Sequence, residues 1–148
     1  MKIAFAAFAG ALMVGAAGHA NAAPADDMCK FVAAAAAGGA PAAIGYIESI
    51  SKHWDDNARQ KLSVVVGSEM DKFSYSGGQV FRIANMPGVV EEYFLTFNLS
   101  NIASSVYARV LYEGDGKEIK FINIDFNSSY YDITKQPFAQ PPVEVDCG

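Results

Sequence analysis

A chain of 148 residues carrying eleven lysines and arginines against sixteen aspartates and glutamates has the length of one ordinary domain. Its acidic balance repels phosphate backbones and anionic lipid, and its bases are scattered singly, so no nucleic acid is expected as a partner. Two cysteines with no histidine beside them supply too few ligands for zinc, so neither a metal nor a cofactor is expected.

The first element is an address. Lys2, the apolar run from Ile3 to Ala17 and the small residues ending in Ala20-Asn21-Ala22 make the three parts of a secretory signal peptide cleaved after Ala22. The run falls short of the roughly 20 residues needed to cross a bilayer. Residues 1–22 therefore predict export, periplasmic or secreted, without a stable membrane anchor. The remainder, 23–148, is 126 residues with a net charge near −6 once Lys2 has gone, and reads as one domain. In an oxidising compartment, Cys29 and Cys147 predict a disulfide that closes almost the whole of it.

Along that domain, Met28, Phe31, Val32 and a run of alanines predict a helix from Asp26 to Ala37, capped by Asp26 or Asp27 and stopped at Gly38-Gly39. Pro41 suits a first turn, and Ile44, Ile47, Ile50 and Trp54 share one face of a second helix over about 41–53. Asp55-Asp56 cap a third segment whose apolar stripe is Ala58, Leu62, Val65 and Met70, interrupted near Gly67. After Lys72 the spacing changes to alternation and aromatic enrichment. Strands are predicted over about 79–85, 89–99, 104–113 and 118–126, with a short fifth near 130–134.

Asp115-Gly116 predicts a two-residue hairpin turn, because both positions tolerate positive φ. That turn would set Tyr112 opposite Ile119, Val110 opposite Phe121, Ala108 opposite Asn123 and Val106 opposite Asp125. The other face would carry Tyr107, Arg109, Leu111, Lys120, Ile122, Ile124 and Phe126. Neither face is cleanly polar, so helices are expected on one, and sheet curvature, the tail or a partner subunit on part of the other. The proline-rich tail, 136–148, should lie over the surface rather than in the ladder.

Helices followed by an antiparallel meander make an α+β domain. The order resembles the cystatin-like, NTF2-like roll, in which an N-terminal helical segment is wrapped by a curved four- to five-stranded antiparallel sheet. The resemblance spans most of 26–134 and rests on element order and hydrophobic pattern, with no motif of its own. It implies a cone able to hold a small-molecule pocket between helix and sheet, and a sheet back able to form a homodimer.

The candidate chemistry is sparse. There is no G-x-S-x-G, H-E-x-x-H, phosphate loop or C-x-x-C. His53, the only histidine left after cleavage, would serve as a general base beside Asp55-Asp56, or answer unpaired carbonyls at a helix end. Asp125, on the predicted face with Phe121 and Tyr112, would be a proton-transferring carboxylate inside an apolar cone, or cap the loop Asn127-Ser128-Ser129. Arg82 and Arg109 would each hold a ligand carboxylate, or pair with a glutamate across the sheet. Tyr107 and Tyr130 complete the ligand-binding candidates, Tyr130 with Tyr131 at a pocket mouth or interface.

The reading that follows is an exported non-catalytic binding protein, taking a small molecule in its cone or a protein partner on its sheet. The rivals are a small lyase or isomerase using Asp125 or His53, and an inhibitor or immunity protein whose acidic surface meets a cationic enzyme. A cone filled by Phe121, Tyr93 and Ile47 would favour protein binding.

Overall fold

The computed structural model describes residues 23–148; the predicted signal peptide and its predicted cleavage point lie outside the described residues. The elements are α1 (Pro24–Ile50), α2 (Asp56–Met70), β1 (Tyr75–Met86), β2 (Val90–Leu99), β3 (Ser105–Gly114), β4 (Ile119–Asn127), α3 (Tyr130–Ile133) and β5 (Val143–Glu144). All strand pairs are antiparallel, in the order β4-β3-β2-β1-β5. The two long helices, α1 and α2, lie on one face of this open sheet, which is the α+β class expected.

Ala23 is the cap of α1 and Pro24 opens its first turn, so Asp26 and Asp27 do not cap but sit inside the turn, where the helix dipole favours them. The helix breaks at Gly39, whose φ of 64° and ψ of −154° only glycine adopts at little cost. Its halves fold back on each other: the Tyr46 hydroxyl donates to Asp27 Oδ1 at 2.9 Å, 19 positions away. In length and mean hydropathy Pro24–Ile50 could cross a bilayer, yet this hairpin buries Met28, Phe31, Val32, Ala35 and Ile47 in the domain core.

The second half ends at Ile50, short of His53. In α2, Asp55 caps by accepting from the Ala58 N–H at 2.9 Å. Leu62, Val66 and Met70, four apart, form the buried face. Val65, expected there, is exposed. Gly67 does not interrupt the helix; a side chain there would press on Ile44. Gly78 in β1 meets a harder limit, since a Cβ would overlap the Thr96 carbonyl oxygen and touch Val32.

The predicted β3–β4 register is corrected. The connection is the four-residue loop 115–118, with Gly114 opposite Ile119 and Tyr112 opposite Phe121. The Asp115 carboxylate accepts from the N–H groups of Lys117 and Glu118 at 2.9 and 3.1 Å, which closes the wider loop. The register then shifts between Leu111 and Tyr112, leaving Ile122 as the extra residue of a bulge. Side chains alternate, so one extra residue exchanges the faces of everything after it. Ile124 and Phe126 turn to the helices, while Asn123 and Asp125 turn to the outer face opposite Leu111 and Arg109.

The tail also departs from expectation. Residues 130–133 form one helical turn, capped by the Ser129 hydroxyl accepting from the Asp132 N–H. The chain then crosses the outer face, where Ile133 and Phe138 join Phe81, Ile83, Phe94 and Tyr107 in a satellite cluster. Pro141-Pro142 cannot donate to a ladder, but the next two residues, Val143 and Glu144, do pair with Arg82 and Phe81. The strap thus rounds the edge of β1, and Cys147 bonds Cys29 with Cα atoms 5.4 Å apart. The expected disulfide is present.

Candidate functional site

The space between helices and sheet is filled. Phe31, Ile47, Tyr93, Phe97 and Phe121 are all essentially inaccessible, and their rings pack edge to face, as in Phe31 on Phe97 and Tyr112 on Phe121. The cone implied by the roll resemblance is therefore a core, and the clefts lie at its margins.

The outer face of β3–β4 collects four of the predicted residues. Arg109 is 7% exposed. Its Nε donates to Glu92 Oε1 at 2.8 Å, its Nη1 donates to the Gln136 carbonyl, and its guanidinium lies 5.4 Å from the Phe138 ring centre. Two of its five N–H donors are thus engaged, one by Glu92 of β2 and one by the tail, the glutamate pairing across the sheet being the alternative expected, and Arg109 also lines the cleft on this face. Tyr107 stacks on Phe94 at 5.8 Å and meets Tyr130 edge-on at 5.6 Å; both tyrosines cover the satellite cluster. Tyr130 nonetheless remains exposed, and Tyr131 beside it is more so, at 83%.

Asp125 is exposed, opposite Arg109, and accepts from Asn123 Nδ2 at 3.2 Å. It is not inside an apolar cone, because the Ile122 bulge turned it outward. The loop-capping alternative fails as well: Asn127, not Asp125, accepts from the Ser129 N–H. Asn123, Asp125 and Leu111 instead line a cleft of about 550 Å³ whose other wall is Asp132, Ile133, Lys135 and Gln136.

His53 and Arg82 lie elsewhere. His53 Nε2 and Trp54 Nε1 both donate to the Phe121 carbonyl, at 2.8 and 3.1 Å, while the Trp54 ring stacks on that of Phe121 at 5.3 Å. The histidine thus answers a backbone carbonyl, though one of the edge strand β4 rather than of a helix end. Arg82 lies in β1 opposite Tyr93 of β2, and its Nε is buried without a partner among the described residues.

The group that the sequence did not single out is Asp27. It lines, with Tyr112, His53, Lys52, Ile119 and Phe121, a second cleft of about 370 Å³ at the open end of the helical hairpin. Its two oxygens accept from different phenols, Oδ1 from Tyr46 at 2.9 Å and Oδ2 from Tyr112 at 3.4 Å. Burial pushes its carboxyl above the ordinary carboxylate value, against the lowering effect of those phenols and of Lys30. Both tyrosines are in turn held neutral by burial and by the carboxylate they face. The pair Asp26-Asp27 ahead of an apolar stripe signals only a helix start; residues 46 and 112 reach it through tertiary folding alone. Among the described residues no group of three or more histidines, cysteines or carboxylates could hold a metal ion. No protein-family model, curated protein or solved structure matches this chain.

Proposed function

We propose that this chain is an exported, non-catalytic binding protein that takes a segment of a protein partner on the outer face of its sheet. Export is supported by the Ala20-Asn21-Ala22 cleavage pattern and by a disulfide of the kind that persists in an oxidising periplasmic or extracellular space. The reading is carried by one observation: the helix–sheet interior is packed solid, while an open cleft of about 550 Å³ runs along the outer face between β4 and the tail. A cleft edged by Asn123, Asp125, Asp132 and Lys135, with Leu111 and Ile133 in its floor, offers hydrogen bonds around an apolar strip, as peptide grooves do. An acid–base enzyme built on Asp125 is disfavoured, since that carboxylate is exposed outside the packed interior. The cystatin-like roll remains a likeness of element order.

The test is a peptide library displayed on phage and panned on oxidised chain 23–148, with Leu111→Arg as the cleft-blocking control. Enriched peptides should bind the variant at least roughly tenfold more weakly, the loss of about 1.4 kcal/mol. Binding that is indifferent to Leu111→Arg, or a library that enriches nothing, overturns the proposal.

A further inference from the structure

The second cleft carries a different ligand chemistry. Asp27 is a half-buried carboxylate with no cation in ion-pair contact among the described residues. A charge removed from water without a counter-charge is costly, and a bound cation would offset that cost. The bond from Tyr112 to Oδ2 is long, 3.4 Å against 2.9 Å for Tyr46 to Oδ1, so Oδ2 is the oxygen with acceptor capacity to spare. The rim carries the opposite sign. Lys52, in the turn after α1, makes no ion pair among the described residues, whereas Lys120 is neutralised by Glu118 at 3.0 Å. Beside them the half-buried Ile50 and Ile119 give an apolar wall.

We infer that this cleft binds a small zwitterion, a free α-amino acid or a close analogue, with its ammonium on Asp27 Oδ2 and its carboxylate toward Lys52. The polarity follows from a carboxylate and an unpaired ammonium lining the same cleft, and Ile50 and Ile119 offer an aliphatic side chain apolar contact. The site is distinct from the outer face and does not depend on the proposed protein partner.

Calorimetry on oxidised chain 23–148 with L-leucine, 3-methylbutylamine and 4-methylpentanoic acid tests the assignment. The second probe lacks the carboxylate and the third lacks the ammonium. L-Leucine should bind, each analogue should be roughly tenfold weaker or more, and both Asp27→Asn and Lys52→Gln should weaken L-leucine by a similar factor. Leu111→Arg, on the other face, should leave the affinity unchanged. No heat from L-leucine at millimolar concentration, equal binding of the amine and the amino acid, or affinity retained in both charge variants overturns the inference. Asp27→Asn keeps the side-chain shape and Lys52 is exposed, so circular dichroism of each variant separates a lost site from a lost fold.

Discussion

At Asp27 the local chemistry has a sign that stability measurements read directly. Desolvation is the largest influence on its carboxyl and raises it; Asp26 adds in the same direction, and Tyr46, Lys30 and Tyr112 oppose. A carboxyl whose folded pKa is raised favours the fold in its protonated form. That stability is complete below the unfolded value and is lost as pH rises through the folded one. Asp27→Asn, which cannot ionise, should be more stable than wild type near neutral pH. After screening of a half-exposed group the gain should be under about 1 kcal/mol. It should vanish by about pH 3. Asp115 is the opposite case, held below the ordinary value chiefly by the N–H groups of Lys117 and Glu118. Its contribution is present above the unfolded pKa and lost as pH falls through the folded one, so Asp115→Ala should destabilise near neutral pH and converge on wild type in acid. Urea midpoints of the three proteins across this range check both; a destabilised Asp27→Asn at neutral pH would show that its phenol bonds outweigh its burial.

The element on which the site geometry turns is β4, and its bulge is held from a distance. β4 is an edge strand, where backbone groups on the open side have no ladder partner, and its Phe121 oxygen accepts from both His53 and Trp54, 68 and 67 positions away. Either donor alone still satisfies it. His53→Phe should therefore cost well under about 1 kcal/mol, as should the hydrogen-bond part of Trp54→Phe, whose ring can keep the stack on Phe121. The double variant should cost about 1–3 kcal/mol, more than the sum, because only then is the carbonyl orphaned. A double-mutant cycle in denaturant measures the excess. Strict additivity would mean that water satisfies the oxygen and that the two side chains do not pin the bulge.

Over the whole molecule, the tail is the tie between the layers. Arg109 and Phe138 hold it to the outer face, Val145 N–H donates to the Val80 carbonyl at 2.8 Å at the sheet edge, and the disulfide joins it to α1 across 118 positions. Besides covering the outer aromatics, this path occupies part of the β1 edge that would otherwise offer unpaired N–H and C=O groups to another chain. Closing so long a loop restricts the unfolded chain and stabilises the fold by at most about 5 kcal/mol. The double variant Cys29→Ser, Cys147→Ser should show a large fall in its urea midpoint, with the β1 edge and residues 134–147 losing hydrogen-exchange protection before the core of β2 and β3. An unchanged midpoint would make the disulfide incidental.

What the sequence determined by itself was whatever depends on neighbours a few positions apart or on arithmetic. Ile44 and Ile47 at helical spacing, the alternation from Tyr93 to Leu99, the break at Gly38-Gly39 and the pairing of the only two cysteines were all legible, and with them the α+β class. The faces of β4 were not. The Asp115-Gly116 signal fits a two-residue turn, and nothing within β4 announces a bulge at Ile122 or that His53 and Trp54 will bond the Phe121 carbonyl beside it. That single residue decided that Asp125 meets solvent and Ile124 the core. The Asp27 site is likewise tertiary: its phenols stand 19 and 85 positions away, brought there by the Gly39 reversal and by the packing of that hairpin on β3. Local propensity acts over a few residues, whereas burial and hydrogen-bond satisfaction act on whichever groups the completed fold brings together.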